Sequence, residues 1–268
     1  MLFLLDVHPF LSIDASTQNV YHFSDTDKNI SLLDISETFG TYDGSFVLYD
    51  NNLDSWKIYD LEEATKRIPP ESTYKIYDAL LGLESGIITP EHSSMTWNGD
   101  AFPFPSWEAD QDLNSAMQNS VNWYFQAIDS QLGINRVQEF LNKIEYGNQT
   151  TSSNLDLYWS DFSLKISPLE QVTLLKKFNT NEFHLNFQNV FSVKNAIKIA
   201  STPNGNFYGK TGTGRVNGQD INGWFIGYIE TSDNSYYFAT NIQSDSNATG
   251  KKAFEITSNI LKKLHIWN

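Results

Sequence analysis

Strand-like segments stand at both ends of this chain with a long helical stretch between them, and that order constrains the fold more than any other feature. Near the start, Gly44-Ser-Phe-Val-Leu-Tyr-Asp50 and Ser55-Trp-Lys-Ile-Tyr59 flank the polar turn Asn51-Asn-Leu-Asp54, which predicts a hairpin. The last third returns to strands at Phe207 to Val216, Gly223 to Glu230 and Ser235 to Ile242. Their connectors are short and turn-rich, Asn217-Gly218 among them, so neighbouring strands run antiparallel. Apolar residues three and four apart predict helices over Ser72–Gly86, from Asp112 through Ser120 to Gly133, over Ile134–Ile144 and over Pro168–Phe178, with a last amphipathic helix over Lys251–Leu264. The expected architecture is α/β in the α+β sense. One antiparallel sheet is built from residues 44–60 and 206–268, and a helical lobe of about 66–195 is inserted between them. Residues 37–268 form the domain, and residues 1–36 form a polar, loosely ordered lead-in.

Of the 268 residues, 40% are hydrophobic and 19% charged, enough apolar material for a packed core and too little charge for global disorder. The net charge of −14 argues against nucleic acid as a partner, because nothing basic is available to displace counterions from phosphate. The chain has no cysteine, which excludes disulfides, thiolate metal sites and thiol nucleophiles. Its five histidines are scattered, with no pair at i, i+4, so neither a zinc-protease helix nor a Ser-His-Asp arrangement has local support. Met1 to Leu5 is apolar for only five residues, short of a signal-peptide core or a spanning helix.

Three segments carry chemistry. In Pro70-Glu-Ser-Thr-Tyr-Lys75, Ser72 and Lys75 stand three residues apart where a helix begins, so the amine reaches the hydroxyl. A serine without a histidine needs another base, and a lysine in a dry pocket gives up its proton readily. The second segment is Ser120-Val-Asn122, placed on a later helix, and the third is Lys210-Thr211-Gly212-Thr213 on a strand. Gly212 removes a side chain where a ligand backbone approaches the strand. Lys210 is a fixed cation for a carboxylate, with the hydroxyls of Thr211 and Thr213 beside it. Each segment alone is weak: a serine near a helix start, a helix serine, a surface lysine. Their order is not, because S-x-x-K, S-x-N and K-T-G in sequence form one signature set.

With these motifs the chain, from about Phe39 onward, resembles the penicillin-binding and serine β-lactamase superfamily. The likeness is strongest to its class D (oxacillinase) enzymes and to the sensor domains of the penicillin-responsive Bla and Mec signal transducers. Tyr146-Gly-Asn148, Trp159 ahead of Leu164-Lys-Ile-Ser-Pro-Leu-Glu-Gln171, and Gly223-Trp-Phe-Ile-Gly227 add to it. The resemblance implies a serine β-lactamase/DD-peptidase fold and β-lactam antibiotics as ligands. It makes Ser72 the acylated nucleophile, Ser120 a proton relay, and the backbone N–H groups of Ser72 and Thr213 an oxyanion hole. Lys75 becomes a carbamate by reaction with carbon dioxide, hydrogen-bonded by the Trp159 indole, and no metal is involved. Tyr146-Gly-Asn148 lines the site.

Between the two branches the residues favour a sensor domain that forms a long-lived acyl-enzyme, with a class D hydrolase as the alternative. Class D hydrolases usually carry an apolar residue where Asn122 stands. An amide oxygen there favours the lysine ammonium over a carbamate, and the acyl-enzyme then lacks a base. The hydrolases also usually have an arginine for the drug carboxylate in the segment corresponding to Asn241–Lys252, and none is present there. A sensor domain would belong to a longer receptor, with membrane and zinc-protease parts, on the outer face of the cytoplasmic membrane. A free enzyme would be secreted. A D-alanyl-D-alanine peptidase fits the motifs but not the Trp159 segment, and a non-catalytic scaffold is the reading from another class.

Overall fold

The computed structural model describes residues 29–267. The apolar start and most of the expected lead-in lie outside the described residues. Strand β1 (Ile30–Leu32) is followed by the helical turn α1 (Ser36–Phe39), the hairpin β2 (Asp43–Asp50) and β3 (Ser55–Tyr59), and α2 (Leu61–Thr65). A 3₁₀ turn over Glu71–Tyr74 runs directly into α3 (Lys75–Glu84). The helical lobe continues with α4 (Leu113–Gln118), α5 (Asn122–Leu132), α6 (Ile134–Ile144), α7 (Pro168–Asn179) and α8 (Phe187–Ala196). The chain then returns to β4 (Lys198–Thr202), β5 (Gly205–Val216), β6 (Gln219–Glu230) and β7 (Ser235–Gln243), and finishes on α9 (Gly250–Lys263).

The strands form one sheet in the order β1-β3-β2-β7-β6-β5-β4, joining both ends of the chain through the β2/β7 pair. Every pairing is antiparallel except β1 with β3, which is parallel. The last part of the expected lead-in is therefore ordered: Ile30–Leu32 adds an edge strand against Trp56–Ile58. Asn217 and Gly218 take φ of +50° and +80°, the left-handed pair that turns β5 into β6 with the twist of the sheet.

Alternation along the strands divides the core in two. Phe46, Leu48, Phe207, Phe225, Ile229, Phe238 and Ile242 face α9 and α1. Val47, Tyr49, Tyr208, Trp224, Ile226, Tyr228 and Tyr237 face the helical lobe. Each such side chain stabilises the fold by roughly 1.5–3 kcal/mol when fully buried. The helix α7 starts on a capping box in which Ser167 accepts from the Glu170 N–H, with Pro168 in the first turn. The Glu170 carboxylate also pairs with Arg67, tying the lobe to the segment that leads to Ser72.

Two expectations shift. The helix predicted from Asp112 to Gly133 is two helices, broken at Asn119–Val121, where Ser120 has a φ of +55°. A capping box at Asp112 and Ser115 starts α4, but nothing local marks its end. The elements α2, α8 and β4 are additional to those predicted. They are short, and they are held by tertiary contact rather than by strong periodicity.

Candidate active site

The segment before the nucleophile is clamped to the sheet. Pro69 O accepts from the Trp224 indole N–H at 2.8 Å and from Asn222 Nδ2 at 3.1 Å. Glu71 N donates to Trp159 O at 3.0 Å. Glu71 itself holds a left-handed φ of +53°, a conformation that persists in a non-glycine residue only where its surroundings enforce it. Its carboxyl is buried and accepts from Asn222 Nδ2 at 3.2 Å. Burial pushes the carboxyl up to about 8, against the opposing pull of that hydrogen bond and of Lys75. Both Gly212 and Gly214 make room for this turn. A Cβ on Gly212 would lie 3.0 Å from Glu71 Cβ and 3.2 Å from Ser72 N, and one on Gly214 would strike the Glu71 carboxyl. The strand bearing K-T-G thus lies directly against the nucleophile turn.

At the start of α3, Lys75 Nζ donates to Ser72 Oγ at 2.6 Å and to Asn122 Oδ1 at 2.7 Å. Ser72 is half-buried, while Lys75 is only 1% exposed, so the amine sits in a dry pocket. Its walls are aromatic: Nζ lies 4.4 Å from the Trp159 ring centroid and 5.6 Å from that of Phe125. Burial, and next the Lys210 charge, hold the Lys75 amine well below the usual lysine range, while Asp78 and Glu71 oppose. The second cation, Lys210, donates to Ser120 Oγ at 3.0 Å and to Thr211 O at 2.9 Å. Burial brings Lys210 down to about 7.

The four residues expected to do the chemistry, Ser72, Lys75, Ser120 and Lys210, therefore form two hydroxyl–amine pairs that meet at one cleft. Ser120 sits in the break between α4 and α5, not on a helix, and Asn122 opens α5 with its amide turned to Lys75. Thr213 Oγ1 accepts from Gly250 N at 2.9 Å, which fastens β5 to the start of α9. Beside Lys210 a cleft of ≈ 520 Å³ opens, lined by Thr211, Met117, Phe254 and two further cations, Lys198 and Lys251. Tyr146-Gly-Asn148 does not line the site. Tyr146 is buried against the Tyr74 and Tyr77 rings, and Asn148 closes a loop by bonding Ser163 O and Lys165 N.

Trp159 is buried beside Lys75 as expected, its indole N–H without a well-formed hydrogen bond and with the Asp129 carboxyl as a neighbour. A carbamate on Lys75 would have the Ser72 hydroxyl, the Asn122 amide and the otherwise unpartnered Trp159 indole N–H as neighbouring donors.

Residues that motif reading passed over are Glu71, Asn222, Asp78 and Asp129. Asp78 extends the spacing of Ser72 and Lys75 by three more residues, and Asp129 is two helical turns beyond Asn122, so both were visible as polar positions on apolar helix faces.

A serine and lysine one turn apart, a second serine–lysine pair and a bare strand beside them define the penicillin-recognising class of serine acyl-transfer proteins. The chain belongs to the family described as penicillin binding protein transpeptidase domain, whose match runs over residues 41–262. The regulatory protein BlaR1 of Bacillus licheniformis is 46% identical over 241 residues, which are 89% of this chain and 40% of that protein. The C-terminal domain of the Bacillus licheniformis BlaR penicillin-receptor superposes with a TM-score of 0.87 at 45% identity, covering 90% of this chain and 98% of that one. Class D beta-lactamase BAT-2 follows at a TM-score of 0.82 and 36% identity, covering 88% and 97%. The chain spans less than half the length of the BlaR1 relatives it matches. Among the described residues no helix is long and apolar enough to cross a membrane.

Proposed function

We propose that this domain senses β-lactams by becoming covalently and lastingly acylated at Ser72. The Lys75 amine, dry enough to be neutral in part, takes the Ser72 proton as Oγ attacks the β-lactam carbonyl. The ring C–N bond then breaks, and Ser120 passes its proton to the leaving nitrogen as it takes one from the Lys210 ammonium, which is reprotonated from solvent. Lys210, with Lys198 and Lys251 along the cleft, gives the drug carboxylate cations to bind where the hydrolases usually use an arginine. The N–H groups of Ser72 and Thr213 serve the oxyanion.

The bond from Lys75 Nζ to Asn122 Oδ1 carries the choice of sensor over hydrolase. Once Lys75 holds the serine proton, the amide oxygen stabilises it as ammonium, and no base remains to activate water. The adduct therefore persists and can act as a signal. The penicillin-receptor relative supports the same reading, and within a longer receptor the domain would stand on the outer face of the cytoplasmic membrane.

Intact-protein mass spectrometry after a single addition of benzylpenicillin tests this. The expected result is one acyl adduct on Ser72 that survives for many minutes. Return to the free mass within seconds places the protein with the class D hydrolases instead, and no adduct at all removes the acylation reading.

A further inference from the structure

Behind Lys75, away from the cleft, two carboxyl groups meet where α3 packs on α5. Asp78 lies one turn beyond Lys75 on α3, and Asp129 comes from α5, the helix that also supplies Asn122. Neither is exposed to any degree. The two carboxyls are within hydrogen-bonding reach of each other. Three of their four oxygens have no hydrogen-bond donor: both of Asp78 and Oδ2 of Asp129. The fourth, Asp129 Oδ1, accepts from Tyr158 OH at 3.3 Å. Two adjacent buried carboxylates whose donors, the Tyr158 hydroxyl and the nearby Trp159 indole, all lie on the Asp129 side cannot both be ionised, and one proton placed between them gives each carboxyl a shared partner.

We propose that Asp78 and Asp129 share a single proton, and that the one negative charge the pair keeps is the counter-charge that lets Lys75 hold a proton inside its dry pocket. The groups facing the pair are Lys75 and Tyr74 from the nucleophile turn and α3, Tyr124 from α5, and Asp156, Tyr158 and Trp159 from the loop after α6. Lys75 is the one cation among them. Burial raises both carboxyls far above their ordinary range, with repulsion from Asp129 adding to it at Asp78 and repulsion from Asp156 at Asp129, in keeping with a retained proton. A sensor needs Lys75 to stay an ammonium after acylation, and Asn122 supplies only a dipole for that. The acid pair supplies a net charge through Asp78, which acts on Lys75 together with the Glu71 carboxyl and against the Lys210 cation, and this makes Asp78 and Asp129 positioning residues acting through Lys75. This inference rests on Lys75 being the base at Ser72.

Carbon-13 NMR of the ligand-free full chain, labelled at aspartate Cγ, tests the shared proton without any antibiotic. One pair of carboxyl signals should keep a proton between about pH 5 and pH 8, with a solvent-isotope shift reporting it. Two carboxylates fully ionised across that range, or two fully protonated acids, would overturn the proposal. The counter-charge is tested by penicillin labelling rates against pH. In Asp129→Asn the new amide donates to Asp78 and the charge remains, so the acidic limb should move by less than about half a unit. The Asp78→Asn/Asp129→Asn double variant loses the charge, and its limb should fall by about one unit or more, a tenfold change at fixed acidic pH. Equal limbs in the single and double variants would sink the counter-charge. Absence of labelling in the parent would instead refute acylation at Ser72, which the NMR result does not depend on.

Discussion

Replacing Asn122 by valine tests the argument that an amide oxygen keeps Lys75 charged. The parent ammonium donates to Ser72 Oγ and to Asn122 Oδ1, at 2.6 and 2.7 Å. The variant removes the second acceptor and puts methyl groups in its place. A hydrogen bond to a charged group contributes about 1.5–3 kcal/mol. At about 1.4 kcal/mol per pKa unit, the Lys75 amine should fall by a further ~1–2 units. The neutral amine then becomes about 10–100 times more available wherever the ammonium dominates, and water activation in the acyl-enzyme should quicken in proportion. The remaining neighbours, Trp159 and Phe125, are unchanged, so the pocket stays dry. The assay is the lifetime of the benzylpenicillin adduct by intact mass, with Asn122→Asp as the opposite control, since a carboxylate there should lengthen it. An adduct in Asn122→Val that decays within twofold of the parent would refute the reasoning.

Glu71→Gln should flatten part of the pH dependence of stability. The folded carboxyl, raised to about 8 from 4.5, binds more protons than the unfolded one between those values. Its contribution is therefore complete below the unfolded pKa and lost as pH rises through about 8, so thermal melts of the variant should fall less between acid and pH 9. Gly212→Ala brings a methyl 3.2 Å from Ser72 N and 3.0 Å from Glu71 Cβ, so penicillin labelling should slow at least tenfold while melting shows a loss of about 1–3 kcal/mol. Unchanged labelling would mean that β5 does not position the nucleophile turn. Trp224→Phe keeps the core but leaves Pro69 O without its 2.8 Å donor, and should cost about 1–2 kcal/mol with slower acylation; denaturant melts and labelling rates read both.

Local rules made much of this molecule legible. The hairpin Asp43–Tyr59, the strands β5 to β7, and the helices α6, α7 and α9 follow from periodicity and turn residues that act within a few positions. The Ser72–Lys75 contact is likewise local, because three residues on one turn bring the amine to the hydroxyl. The family motifs brought Ser120 and Lys210 to the same cleft, and their 3.0 Å bond joins residues ninety positions apart. Periodicity and resemblance misled at two places: the helix expected through Ser120 breaks there, and Asn148 makes a clasp in place of a site contact.

The order of the motifs in the chain determined the class of chemistry, since a hydroxyl, two amines and a glycine-bearing strand are fixed by residue type and short spacing. Only the tertiary structure decided what charge those amines carry. That depends on which helices cross, and the crossing of α3 with α5 sets the Asn122 amide oxygen and the Asp78 carboxyl beside a buried Lys75. Ionisation in a dry pocket is governed by neighbours distant in sequence, and no local pattern encodes them.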